Sequence, residues 1–127
     1  MIIAVDFDGT VVEHAYPKVG YENPGATEWL RRYEHAGARL ILLTMRSGEH
    51  LEEAKHWFLA RQLRLWAVNE NPEQTEWADS RKVYANVYID DAAACTPLRP
   101  PVTPGLCPMV DWRVVGPEVM KKVEERL

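Results

Sequence analysis

Ile2 to Val5 is an unbroken apolar run, rich in β-branched residues, that stops at an acid, Asp6. Such a run has no polar side to turn toward water, so it predicts a central strand of a parallel sheet, buried on both faces. Leu40 to Leu43, inside a second run from Arg39 to Thr44, repeats the signature. Between the two runs stand Asn23 and Pro24, a capping residue followed by the residue suited to the first helical position. Ala26, Trp29, Leu30 and Tyr33 then follow at helical spacing until Gly37. The pattern predicts a helix over 24–36, and strand, helix and strand of these lengths make a parallel βαβ unit.

The rest of the chain continues the alternation. Ser47 is placed to cap a second helix whose Glu49, Glu52 and Glu53 suit its positive end, with Leu51, Ala54, Phe58 and Leu59 on its inner face. Leu65 to Val68 reads as a third strand and Val87 to Asp90 as a fourth, with a short helix within Pro72 to Ala78. Pro97, Pro100, Pro101, Pro104 and Pro108 remove too many N–H donors for a helix or inner strand, so 96–108 is expected to be a stiffened loop. Trp112 to Val115 reads as a short edge strand, and Pro117 as the start of a last helix that packs through Val119, Met120 and Val123. The expected fold is a single Rossmann-like domain over 1–127, a three-layer α/β/α arrangement with a mainly parallel sheet and helices on both faces. A chain of 127 residues can bury one sufficient core without staples.

Charge and cysteine content narrow the function classes. The formal net charge of −4 gives no electrostatic footprint for indiscriminate binding to nucleic acid or to a membrane surface. Cys95 and Cys107 lack any zinc or disulfide-framework spacing and read as free thiols of a reducing compartment. The amino-terminal apolar run is too short for a signal peptide or a membrane span, so a cytoplasmic protein is expected.

Chemistry concentrates in Asp6-Phe7-Asp8-Gly9-Thr10, at the carboxyl end of the first strand, where open α/β sheets bind ligands. Asp90-Asp91 ends the fourth strand in the same way. Carboxylates gathered at one sheet edge repel one another unless a proton or a cation intervenes, and a hard-oxygen cluster suits Mg²⁺. Thr44 offers a hydroxyl to a phosphoryl oxygen, and Lys82 a point charge.

The order acid pair, Thr44, Lys82, acid pair, in the words Asp-Phe-Asp-Gly-Thr, Leu-Leu-Thr, Arg-Lys and Ile-Asp-Asp, resembles the four motifs of the haloacid dehalogenase superfamily of phosphohydrolases. The resemblance runs from the amino terminus to about Asp91. It implies an aspartyl-phosphate on Asp6, with Asp8 as general acid and base, and a Mg²⁺ ion held by Asp6, the Asp8 carbonyl and Asp90 or Asp91. It implies that Thr44 orients the phosphoryl group and that Lys82 offsets its charge. Thr10, His14 and Arg46 complete the candidate substrate-binding residues.

Lys82 precedes Asp90 by eight residues, about 26 Å if the segment is extended. The chain over 80–86 must therefore double back; otherwise Arg46, two residues after Thr44, is the candidate phosphate cation. Neither Val11–Asn23 nor Asn69–Arg81 has room for a large cap domain, which implies an open site. Its cover would come from the flap carrying His14, Tyr16, Lys18 and Tyr21, from the proline-rich loop, or from a second copy in a homo-oligomer. The substrate is then a phosphorylated small molecule or macromolecule. A nucleotide or polynucleotide-end phosphatase, or a binding module without turnover, are the alternatives. Trp77 and Trp112 are candidate substrate platforms. Cys107 and Arg113 have the Cys-x₅-Arg spacing of a thiol phosphatase, but Pro108 lacks an N–H and Asp111 brings negative charge into the cradle such a loop would need.

Overall fold

A computed structural model describes residues 1–127. Four parallel strands, β1 (Ile2–Val5), β2 (Arg39–Leu42), β3 (Leu65–Val68) and β4 (Val87–Ile89), form one sheet in the order β3-β2-β1-β4. The wholly apolar β1 takes an inner position, flanked by β2 and β4, with Val5 opposite both Leu42 and Ile89. Its four residues are buried on both faces, as the run of apolar residues requires.

Alternation along the strands sorts the core. Ile3, Val5, Leu40, Leu42 and Ile89 enter one large cluster with residues of α1 (Ala26–His35), α2 (Gly48–Ala60) and α3 (Trp112–Glu124). Ile2, Ala4 and Ile41 face the other way, toward Ala85, Val83 and Trp66. All three α-helices therefore pack on one face, where helices on both had been expected. Handedness explains it: β1, β2 and β3 step in one direction, and right-handed crossovers place α1 and α2 on the same side. The return from β3 to β4 must cross the opposite face, and there the chain makes only a 3₁₀ turn, Gln74–Glu76. The buried Gln74 side chain organises this third layer, donating to the carbonyls of Ser80 (3.2 Å) and Lys82 (2.7 Å) and accepting from the Tyr84 amide (2.8 Å).

Local details also depart from the pattern. α1 begins at Ala26 behind Gly25, whose φ of 90° is left-handed, whereas the buried Asn23 side chain donates to the carbonyls of Thr10 (2.8 Å) and Val110 (2.7 Å) and so ties three segments together. Leu59, assigned to the inner face of α2, is exposed, and Trp57 takes its place in the core. Residues 112–115 are the first turn of α3 and not a strand. Asp111 accepts the Arg113 amide as a cap (3.1 Å), and the Trp112 indole, fully buried, donates to the Thr10 carbonyl (2.8 Å). These tertiary anchors override the β propensity of Trp-Arg-Val-Val and carry the helix through Pro117, which lies inside it. Within the proline-rich loop a two-residue strand, β5 (Leu98–Arg99), pairs antiparallel with β6 (Met109–Val110). No helix is long and apolar enough to cross a membrane.

Candidate functional site

The site grows out of strand register. Because Val5 is paired with Ile89, the residues that follow, Asp6 and Asp90, leave the sheet side by side, and the Asp6 amide donates to the Ile89 carbonyl (2.9 Å). Carboxylate oxygens of Asp6, Asp90 and Asp91 lie within 4.8 Å of one another. Gly9, at φ +83°, turns the chain back beneath Asp91, and a Cβ there would meet an Asp91 carboxylate oxygen at 2.5 Å. Thr10 is fully buried; its hydroxyl donates to Asp6 (3.1 Å) and accepts the Asp91 amide (3.2 Å). It braces two carboxylates and cannot reach a substrate, which corrects its assignment as a binding residue.

Three half-buried carboxylates this close cannot all ionise without help. Burial, then the Asp90 charge, then a hydrogen bond with Asp91 push Asp6 up from 3.8 to about 8, and Asp91 is raised too, first by burial. Only oxygen donors meet here, in a half-buried cluster with no ammonium or guanidinium paired to it. That donor set fits a hard divalent cation such as Mg²⁺. Between 3.8 and about 8 the folded protein keeps an Asp6 proton that the unfolded chain has lost, so metal-free stability is present at low pH and declines as pH rises across that window. Added Mg²⁺ must displace this proton. We therefore expect it to raise the melting temperature more at pH 8.5 than at pH 6, measured by thermal unfolding with and without the ion; an equal shift at both would refute the shared-proton account.

Asp8 is absent from the cluster. Its two oxygens accept a fork of hydrogen bonds from Arg46, Nε to Oδ2 and Nη2 to Oδ1, both 2.7 Å. Arg46 also donates to the carbonyls of Lys18 (2.8 Å), Pro17 (3.2 Å) and His50 (3.4 Å). A guanidinium has five N–H donors, and all five end on protein. Arg46 is therefore not a free phosphate cation. Lys82 does not line the cleft: the segment before β4 does fold back, the Tyr88 hydroxyl donating to the Val83 carbonyl (2.6 Å) and accepting the Ala85 amide (3.1 Å), but it leaves the Lys82 ammonium exposed, 5.6 Å from the Tyr88 ring.

A cleft of about 710 Å³ is lined by Asp6, Asp8, Asp90 and Asp91 together with His14, Tyr16, Thr44 and Asn69. The Thr44 hydroxyl accepts the Arg46 amide (3.1 Å), leaving its own proton free for the cleft. His14 lies near enough for its charge to act on Asp91. Asn69 was not anticipated. It sits just past β3 at φ 54°, a conformation Asn tolerates, and its side-chain oxygen accepts the Thr44 amide (2.8 Å). The pair Val68-Asn69 at a strand end was the available signal. Glu13 was missed as well. Burial alone would raise its pKa, but hydrogen bonds from the Thr103 amide and hydroxyl outweigh that and hold it below the ordinary range, so this buried carboxylate straps the proline-rich loop to the flap.

Other candidates fall away. Trp112 is buried core, and Trp77 stacks edge-on against Tyr84 (5.4 Å), outside the cleft. Arg113 is paired with Asp111 (3.0 Å), and Cys107 is exposed and outside the cleft. A larger groove of about 910 Å³ runs beside α2, lined by apolar residues such as Trp57, Phe58 and Leu63 together with charged ones such as Glu52, Glu53 and Arg61, but the acidic cluster lies outside it.

A solved structure from Bacteroides thetaiotaomicron, described as a conserved protein, is similar to this chain at 39% identity and a TM-score of 0.76. The match covers 96% of this chain and 91% of that one. No family model matches the chain, and no curated protein does.

Proposed function

We propose, from the premise that the chain belongs to the same family as this conserved Bacteroides thetaiotaomicron protein, that it is a Mg²⁺-dependent phosphomonoester hydrolase of haloacid dehalogenase type. That relative is described by no activity, so the reading rests on the site. The observation that carries it is the meeting of Asp6, Asp90 and Asp91 within 4.8 Å at the end of two adjacent strands. A divalent cation held there by those residues would offset the charge of both the carboxylates and a transferring phosphoryl group.

In this reading Asp6 attacks phosphorus, the ester oxygen leaves with a proton, and water then cleaves the aspartyl-phosphate. Asp8 would move those protons; that it lines the same cleft two residues on supports this role. The Thr44 hydroxyl donates to a phosphoryl oxygen. With Lys82 outside the cleft lining and Arg46 fully engaged, orientation falls to Thr44, His14 and main-chain donors. The exposed free thiols of Cys95 and Cys107 suit a reducing, cytoplasmic setting.

The absence of Lys82 from the cleft lining favours one second reading, a phosphate- or protein-binding module without turnover. Hydrolysis of p-nitrophenyl phosphate separates the two: turnover that requires Mg²⁺ and stops with EDTA supports the enzyme, and inertness across a panel of phosphate esters supports the module. Asp8→Asn should slow turnover by about two orders of magnitude while keeping the Mg²⁺-induced rise in melting temperature, because its carboxylate lies outside the acidic cluster. Turnover equal to wild type would remove Asp8 from the mechanism.

A further inference from the structure

Arg46 is the one guanidinium in the cleft, and its side chain is only 1% exposed. Its partners come from three separate segments: Asp8 after β1, Pro17 and Lys18 on the flap, and His50 in the first turn of α2. The rings of Phe7 and Tyr16 lie 5.0 and 5.1 Å from its guanidinium carbon. Tyr16 belongs to the flap and Phe7 to the core beneath the acids, so aromatic contact as well as hydrogen bonding joins the two. Asn23 also ties the end of the flap to the acidic turn, through the Thr10 carbonyl, but the bond to the Asp8 carboxylate is made by Arg46.

Resting on the phosphatase reading, we propose that Arg46 is a positioning residue that couples the seating of the flap to the orientation of Asp8. Two features of the geometry assign this role in preference to substrate binding. Every N–H of the guanidinium is already spent on protein, so contact with a phosphoryl oxygen would require giving up an existing bond. The fork onto Asp8 fixes the plane of its carboxylate while leaving each oxygen a second lone pair, and the side chain is 13% exposed along the cleft. Held so, Asp8 presents lone pairs to a water attacking the aspartyl-phosphate. If the flap lifted, Arg46 would lose the Pro17 and Lys18 carbonyls, and the fork would lose its support.

Lysine carries the charge but not the fork, and its three donors cannot span Asp8, the flap and α2 together. Arg46→Lys is therefore the informative variant, with folding checked by circular dichroism. On p-nitrophenyl phosphate, whose leaving group needs little proton assistance, only breakdown of the aspartyl-phosphate should slow, so kcat and KM should fall together, each by about tenfold or more, with kcat/KM changed less than about twofold. A burst of nitrophenol should appear as the aspartyl-phosphate accumulates. A raised KM with unchanged kcat would overturn the proposal by making Arg46 a phosphate ligand, and unchanged constants would overturn it by making the contacts incidental.

A second measurement needs no variant. In ¹⁵N NMR spectra of the wild-type protein, the Arg46 side-chain N–H signals should be resolved and slow to exchange, and inorganic phosphate added with Mg²⁺ should leave them in place. Large shifts would show the guanidinium leaving Asp8 for the anion and would overturn the proposal even if Arg46→Lys did not fold. Absence of any wild-type turnover would instead count against the phosphatase reading, and the NMR result would still decide whether Arg46 holds Asp8 and the flap.

Discussion

Asp6→Asn is expected to abolish phosphomonoester hydrolysis, lowering kcat/KM by at least about four orders of magnitude, and at the same time to make the metal-free protein more stable. The first effect follows from the proposed chemistry: an amide cannot form the acyl-phosphate, and loss of a nucleophile leaves only what binding and positioning supply. The second follows from the crowding of Asp6, Asp90 and Asp91 within 4.8 Å. At pH 7 the unfolded chain has an ionised Asp6, but the folded protein holds a proton there up to about pH 8. Keeping that proton costs stability on the order of a few kcal/mol, and asparagine, neutral and nearly isosteric, does not incur it. The melting temperature of Asp6→Asn without metal should therefore exceed that of wild type at pH 7–8, and the difference should vanish near pH 4. Added Mg²⁺ should stabilise wild type and leave the variant almost unmoved. Steady-state kinetics and thermal unfolding of the two proteins side by side decide the matter; a variant that keeps more than one per cent of wild-type turnover would remove Asp6 as nucleophile.

Gly9→Ala should damage the site more than any other substitution of a residue that contributes no side chain to it. The backbone at Gly9 is left-handed, at φ +83°, which costs an alanine about 1–2 kcal/mol. The added Cβ would also stand 2.5 Å from one Asp91 carboxylate oxygen and 2.7 Å from its Cγ, closer than real contacts allow. Asp91 would have to swing away, and with it the Thr10 bridge that accepts the Asp91 amide and donates to Asp6. We expect a loss of a few kcal/mol in unfolding free energy and a Mg²⁺ affinity reduced by about 10–100-fold, the range for lost support of metal ligands. Calorimetric titration with Mg²⁺ and thermal unfolding measure both. Wild-type values on both counts would mean that Asp91 is free to move and does not belong to a preformed cluster.

Much of the fold was legible because its signals are local. Unbroken apolar runs identified β1 and β2, and the acids that end β1 and β4 identified the functional edge. Where local propensity competed with long-range contact, the reading failed. Trp-Arg-Val-Val favours a strand, yet the buried indole of Trp112 bonded to Thr10 makes it the start of α3. Asn23 beside a proline looks like a cap, but two distant carbonyls claim its side chain.

The candidate site divides along the same line. Asp6, Asp90 and Asp91 could be placed together from the chain alone, since parallel strands of known order bring their carboxyl ends to one edge. Which cation faces them could not, because Arg46 and Lys82 are both plausible by residue type and position. Their fates depend on an 18-residue crossover, 69–86, whose path is governed by the Gln74 bonds, and on a flap whose carbonyls consume the Arg46 donors.

Hydrophobic runs and strand-end acids follow from the order of residues, since burial periodicity and covalent spacing act over a few positions. The pairing of Asp8 with Arg46 and the strap from Glu13 to Thr103 join residues far apart in the chain. Such hydrogen bonds form only where packing has already excluded water and brought the partners within reach, and that is a property of the folded molecule alone.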